Sequence, residues 1–341
     1  MDLVLPVVFM GIMGLAMLIY VILDGYDLGI GMLLPLGDDE QKDIMIASIG
    51  PFWDANETWI VLGVGILLIA FPKAHGMILT FLYIPVSIML LGLILRGVAF
   101  DFRVKAGANK KHRWDKAFFG GSLIASIAQG WMLGAYITGL ENNTINTLFS
   151  ALIALALPAL YVVLGAAWLL IKTENELQKK AIRWAKVAVW PMAAGLVLVS
   201  VATPLVSSGI ADKWFTMPNL IGLLPIPVIC LVAFSAILWG LYHKPIILGG
   251  YEWIIYVATV LICIMGTIGL AYSLYPDIVI GQLTIWEAAS ATESLTVVLI
   301  GTSITLPMIL IYTVMVYKIF GGKATNLRYD SSIEKSGSLD T

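Results

Sequence analysis

Residues 50–73 read GPFWDANETWIVLGVGILLIAFPK. The apolar part, Trp59 to Phe71, is only 13 residues long. A helix that crosses a bilayer needs about 20. To reach that length it must take in Asp54, Asn56 and Glu57 at its inner end. Composition makes the stretch a span: 60% of the 341 residues are hydrophobic and 12% are charged. Soluble domains lie nearer half and a quarter. The chain is read as an all-α polytopic membrane protein whose helices carry charges.

Outward from this stretch, nine runs have spanning length: 3–23, 51–71, 77–98, 117–138, 147–171, 187–208, 219–241, 253–275 and 294–320. The first has no basic leader and reads as a retained helix rather than a signal peptide. Connections are short, there is no internal repeat, and residues 1–320 form one transmembrane domain. Residues 321–341, GGKATNLRYDSSIEKSGSLDT, are predicted to be a disordered cytoplasmic tail.

Lysine and arginine set the orientation. With the N-terminus outside, all but three of the 20 basic residues fall on inside segments. Lys73 and Lys213 lie outside, and Arg96 is within a helix. This gives N-terminus out, C-terminus in, a multi-pass protein of a cell membrane. The basic loops read as topology determinants, and no patch suggests nucleic acid. In the loop before the last span, Thr284 to Glu287 and Ser290 to Glu293 each fit a capping box. The first would open a short interfacial helix bearing Trp286.

The charges inside spans carry the functional signal. Asp24 and Asp27 are three apart, as are Asp54 and Glu57, so each pair shares a helix face, about 60° apart. Arg96 and Asp101 are about 140° apart on their helix, so Arg96 needs a partner on a neighbouring helix. A charge at the bilayer centre costs about 2.5–3.5 kcal/mol on insertion scales. Snorkelling to the headgroups is the plainer reading, best suited to Asp24, Glu57 and Asp101 near the helix ends. It does not readily account for five acids and a base on three consecutive helices. Paired carboxylates in a low dielectric do not both ionise, which is how a proton-accepting site is made. Gly25, Gly29 and Gly31 fit either close helix approach or a break in the helix.

Other chemistries lack their residues. His75, His112 and His243 fall in loops or at a helix end, so a haem in this chain would lack a histidine. The 14 methionines are scattered and read as packing, as do Cys230 and Cys263. There is no zinc or iron–sulfur cysteine pattern, no phosphate-binding glycine loop and no nucleophile elbow.

DGYDLGIGMLLP, IGPFWDANETWIVLGVGILLIAFP, LRGVAFDFR and WEAASATESL, in this order and spacing, resemble the signature segments of subunit II of the cytochrome bd quinol oxidases. The resemblance covers essentially the whole chain. It implies two four-helix bundles plus a peripheral helix. It implies pairing with a larger subunit I that holds haem b and haem d and oxidises quinol, with no cofactor bound directly by this chain. A small single-helix subunit and membrane lipid are further partners it allows. The complex would reduce dioxygen to water. By position, Asp27, Asp54, Arg96 and Asp101 match residues of a cytoplasmic proton route, with Glu57 beside them; Asp24 is either a helix-end anchor or a second relay member. Trp59 matches a residue of an oxygen access route, or is an interfacial aromatic. Trp53 and Asn56 have no assigned role. The competing readings are a proton-coupled secondary transporter and a purely structural subunit.

Overall fold

The computed structural model describes residues 1–324 apart from Lys244 and Ile246. Among these residues, nine helices are long and apolar enough to cross a membrane. They are α1 (Val4–Leu33), α3 (Trp53–Ala70), α4 (Pro72–Lys105), α5 (Ala108–Ile137), α6 (Thr144–Lys172), α7 (Asn175–Val206), α10 (Pro225–Tyr242), α11 (Trp253–Leu274) and α13 (Thr292–Ile319). Shorter elements join them: α2 (Asp39–Ile49), α8 (Ser208–Phe215), α9 (Asn219–Leu223), α12 (Ile285–Ala288) and a two-stranded antiparallel hairpin of β1 (Asp277–Val279) and β2 (Leu283–Thr284).

Several spans are longer than the sequence suggests, the first and third among them. The first does not stop at residue 23 but continues unbroken through DGYDLGIG to Leu33. Its glycines do not break the helix; they allow a neighbour to approach. A Cβ on Gly29 would lie 1.8 Å from the Tyr161 carbonyl oxygen, and one on Gly165 would lie 2.6 Å from Gly29 C. The backbones of α1 and α6 therefore touch, as small residues permit in membrane bundles. The third span covers Pro72–Lys105, not 77–98. Only Phe71 separates α3 from α4: the residue before a proline is pushed out of the α region, and Pro72 opens α4 at a position where its missing N–H costs nothing.

Helix α1 is the hub, packed against α3, α5 and α6 and touching α11 and α13. One end of the molecule is closed by the hairpin and α12. Trp286 Nε1 donates to the Leu3 carbonyl at 3.1 Å, and Tyr136 donates to Ile278 O at 2.7 Å. The Thr284–Glu287 capping box is formed. The Ser290–Glu293 box is not, because Ser290 is used elsewhere. Its N–H and hydroxyl donate to Ala70 O and Ile69 O at 2.9 and 2.6 Å, satisfying carbonyls at the end of α3.

The opposite end carries an ionic lattice. Arg103 lies 2.7 Å from Asp43 and 2.5 Å from Asp115; Lys42 lies 3.0 Å from Asp39, and Lys111 3.1 Å from Asp43. The basic residues here tie α2 to α4 and α5, beyond any role in orientation. Lys172 points across the Phe52 and Trp168 rings, 5.1 and 5.2 Å from their centroids, and donates to the carbonyls of Phe320 and Gly322. Lys323 donates to Thr173 O at 3.2 Å, and Ala324 is buried. The packed chain thus continues past 320 to at least 324. Residues 325–341 of the predicted tail lie outside the described residues.

Candidate functional site

Four of the six charged residues singled out in the sequence meet between α1, α3 and α4. Asp24 and Asp27 are fully buried, about 14 and 9 Å back from the end of α1. Arg96 reaches in from α4: Nη1 is 2.6 Å from Asp24 Oδ1 and Nη2 is 3.6 Å from Glu57 Oε1. Arg96 does find its partner on another helix. That partner is Asp24, which cannot snorkel because Arg96 and the bundle enclose it. Arg96 and Asp24 form a close, fully buried ion pair.

Asp27 is held differently. Asn56 Nδ2 donates to its Oδ2 at 2.8 Å, while Oδ1 has no donor among the described residues. Arg96 thus pairs with Asp24 and Glu57, while Asp27, three residues on from Asp24, has an oxygen with no donor among the described residues. Full ionisation would leave uncompensated charge in a low dielectric, which is strongly disfavoured. Buried polar atoms without a protein partner call for water or a proton. Such a cluster has the chemistry expected of a proton-accepting site. Glu57, with its side chain 25% exposed, links it to the surface.

Asp54 and Asp101 are not in this cluster; both are exposed on the chain's surface. Asp54 sits in the first turn of α3, where the helix dipole favours an acid without any functional role. Trp59 is not a surface aromatic. It is 1% exposed and packs with Ala16 and Tyr20.

Two polar networks extend the cluster, and sequence reading did not find their members. Asn56 also donates to the Tyr26 hydroxyl at 2.8 Å, and Tyr317 of α13 donates to Asn56 Oδ1 at 3.0 Å. On the other side, Tyr161 donates to Gln129 Oε1 and Gln129 Nε2 donates to the Tyr20 hydroxyl, both at 2.7 Å. Tyr20 lies one turn before Asp24. The only sequence signal for these residues is polarity inside an apolar run, as for Gln129 and Asn56. Tyr26 stands within the DGYD segment itself.

The three histidines sit at helix ends: His75 in the first turns of α4, His112 near the start of α5, and His243 capping α10. Among the described residues no group of three or more His, Cys, Asp or Glu could hold a metal ion. Cys263 is buried, as read from the sequence, whereas Cys230 is part-exposed; neither is bonded.

The family model for cytochrome bd terminal oxidase subunit II matches residues 5–320. Cytochrome bd ubiquinol oxidase subunit 2 of Bacillus subtilis is 29% identical over 319 residues, covering 87% of this chain and 90% of that protein. Cytochrome bd-I ubiquinol oxidase subunit 2 of Escherichia coli K12 is 25% identical, covering 91% and 93%. The bd oxidase structure from Geobacillus thermodenitrificans contains a chain of the same fold, with TM-score 0.75 at 17% identity, covering 93% of this chain and 98% of that one.

Proposed function

This chain belongs to the cytochrome bd terminal oxidase subunit II family, and we propose that it conducts protons through the buried acid cluster to the oxygen-reducing centre of such an oxidase. As a family member it is a multi-pass membrane subunit of a quinol-oxidising, oxygen-reducing complex. The proposed partner is the haem-bearing subunit I. Bound haems would supply oxygen binding and reduction, and they are assigned to the partner. No haem is assigned to this chain, whose histidines stand at helix ends rather than inside the bundle.

Reducing dioxygen to water consumes protons, and they must cross low-dielectric protein. In this reading the ionic-lattice end faces the cytoplasm, with the N-terminus out, the C-terminus in, and the helices arranged as two four-helix bundles plus one peripheral helix. Protons reach Glu57 from the surface, helped by exposed Asp54 and Asp101. They pass to Asp27, whose Oδ1 has no donor among the described residues. Arg96 and Asp24 balance charge beside that step. Trp59, buried at the α1–α3 contact, lines the proposed oxygen access route.

The observation that carries the reading is a buried guanidinium shared by Asp24 and Glu57, with Asp27 buried beside them and its Oδ1 lacking a donor among the described residues. The test is Asp27→Asn in the purified complex, with haem content checked first. Turnover should fall by at least about tenfold, as expected when a proton-transferring group is lost. Unchanged turnover with full haem would remove Asp27 from the route. A proton-coupled transporter would also need buried acids, but family membership disfavours it.

A further inference from the structure

Three groups close a ring of hydrogen bonds beside Asp27. Asn56 Nδ2 is 2.8 Å from the Tyr26 hydroxyl, the Tyr26 and Tyr317 hydroxyls are 2.6 Å apart, and Tyr317 is 3.0 Å from Asn56 Oδ1. The chemistry of the groups gives the ring a direction. An amide nitrogen donates and an amide oxygen accepts, while a tyrosine has one proton to give. The Tyr317 proton goes to Asn56 Oδ1. The proton between the two tyrosines therefore comes from Tyr26, whose oxygen accepts from Asn56. The ring runs from Asn56 to Tyr26 to Tyr317 and back to Asn56. The other amide N–H goes to Asp27 Oδ2 at 2.8 Å, with the Leu23 carbonyl a longer contact of the same nitrogen at 3.4 Å.

Rotating the amide by half a turn would set its oxygen against Asp27 Oδ2, acceptor facing acceptor, unless that oxygen carried a proton. Tyr317 opposes this rotation by donating to Asn56 Oδ1. Tyr317 is itself fixed in place. Its ring lies 4.6 Å from Phe52 and 5.8 Å from Trp168. Just beyond it, Lys172 grips the carbonyls of Phe320 and Gly322 and latches the end of α13 to α6.

We infer that Tyr317 is a positioning residue: through Asn56 it commits Asp27 Oδ2 to a protein donor and leaves Oδ1 as the oxygen that exchanges protons. The inference rests on Asp27 being a proton carrier, and it makes the last span part of the site. Asp24, Glu57 of α3, Arg96 of α4 and Tyr256 of α11 also face Asp27. They are left unchanged in the test.

The experiment uses the intact, haem-loaded oxidase complex with Tyr317→Phe, which keeps the packed ring and removes only the hydroxyl. Turnover should fall about three- to tenfold, the worth of one neutral hydrogen bond, and its pH profile should shift while haem content stays the same. Asn56→Leu removes the amide that Tyr317 aims and should give at least as large a change. The double variant should add little beyond Asn56→Leu, because Tyr317 acts through Asn56. A Tyr317→Phe enzyme with unaltered turnover and pH profile overturns the inference. So do fully additive effects of the two changes. Should Tyr317→Phe fail to assemble, Asn56→Leu decides: an unaltered pH profile overturns the inference, and a shifted one upholds it. Asp27→Asn separates this inference from its premise. An active Asp27→Asn enzyme defeats the proton route itself. An inactive one beside an unaltered Tyr317→Phe enzyme defeats only the role of Tyr317.

Discussion

Arg96 is buried to 1% exposure, with its closest counter-charge, Asp24, fully buried against it. Removing one member of such a pair strands the other charge, at a cost of about 3–5 kcal/mol, whereas replacing both with apolar groups is often tolerated. Arg96→Leu should therefore prevent stable accumulation of the subunit. Asp24→Leu combined with Arg96→Leu should restore thermal stability in detergent. Turnover should stay low in the double variant if the pair also balances charge during proton transfer. A double variant as unstable as the single one would show that the pair is not an isolated unit. At this scale the sequence was only partly legible. Spacing correctly sent Arg96 to another helix, but it left Asp24 undecided, because which carboxylate faces α4 depends on how α1 is rotated in the bundle.

At the scale of elements, the contact between α1 and α6 depends on Gly29 and Gly165. Gly29→Ala would push a Cβ to 1.8 Å from a carbonyl oxygen of the facing backbone, and a backbone cannot turn aside as a flexible side chain can. Overpacking of this kind costs about 1–3 kcal/mol and sometimes more. The expected result is a clearly lowered melting temperature. Gly11→Ala, which meets nothing within 4 Å, should be neutral. Equal effects at both positions would contradict the close crossing. The number of spans was readable from hydropathy alone, because lipid demands about 20 apolar residues from each. The ends of α1 and α4 were not. The apolar run stops where charges begin, but the helix continues because neighbouring helices cover Asp24, Asp27, Arg96 and Arg103. The exposed positions of Asp54 and Asp101 were equally hidden, since helix rotation is set by packing rather than by the local pattern.

For the whole molecule, the two ends differ in how they are held: one by a hairpin and backbone caps, the other by ions. Asp43 shows the consequence. Burial alone would raise its carboxyl, but hydrogen bonds and charge from Arg103 and Lys111 outweigh this and hold it below the ordinary carboxylate range. A group whose pKa is lowered by folding stabilises the fold above its unfolded pKa, and this contribution is lost as pH falls through the folded value. Attachment of α2 should thus be constant at neutral pH and weaken only in acid below the usual carboxylate range. Hydrogen exchange of α2 against pH would read this out. Asp43→Asn should show weaker protection already at neutral pH. Loosening of α2 as pH rises from acid to neutral would contradict the assignment.

The central claim is that protons for oxygen reduction pass through the buried cluster from the ionic-lattice side. It is tested most directly by measuring proton uptake during quinol-driven oxygen reduction in oriented proteoliposomes, with a pH indicator on each side, for the wild-type complex and for Asp27→Asn with its haems intact. The account predicts wild-type uptake from the ionic-lattice side, slowed by at least about tenfold in the variant. Uptake from the hairpin side, or an equal rate in the variant, would contradict it.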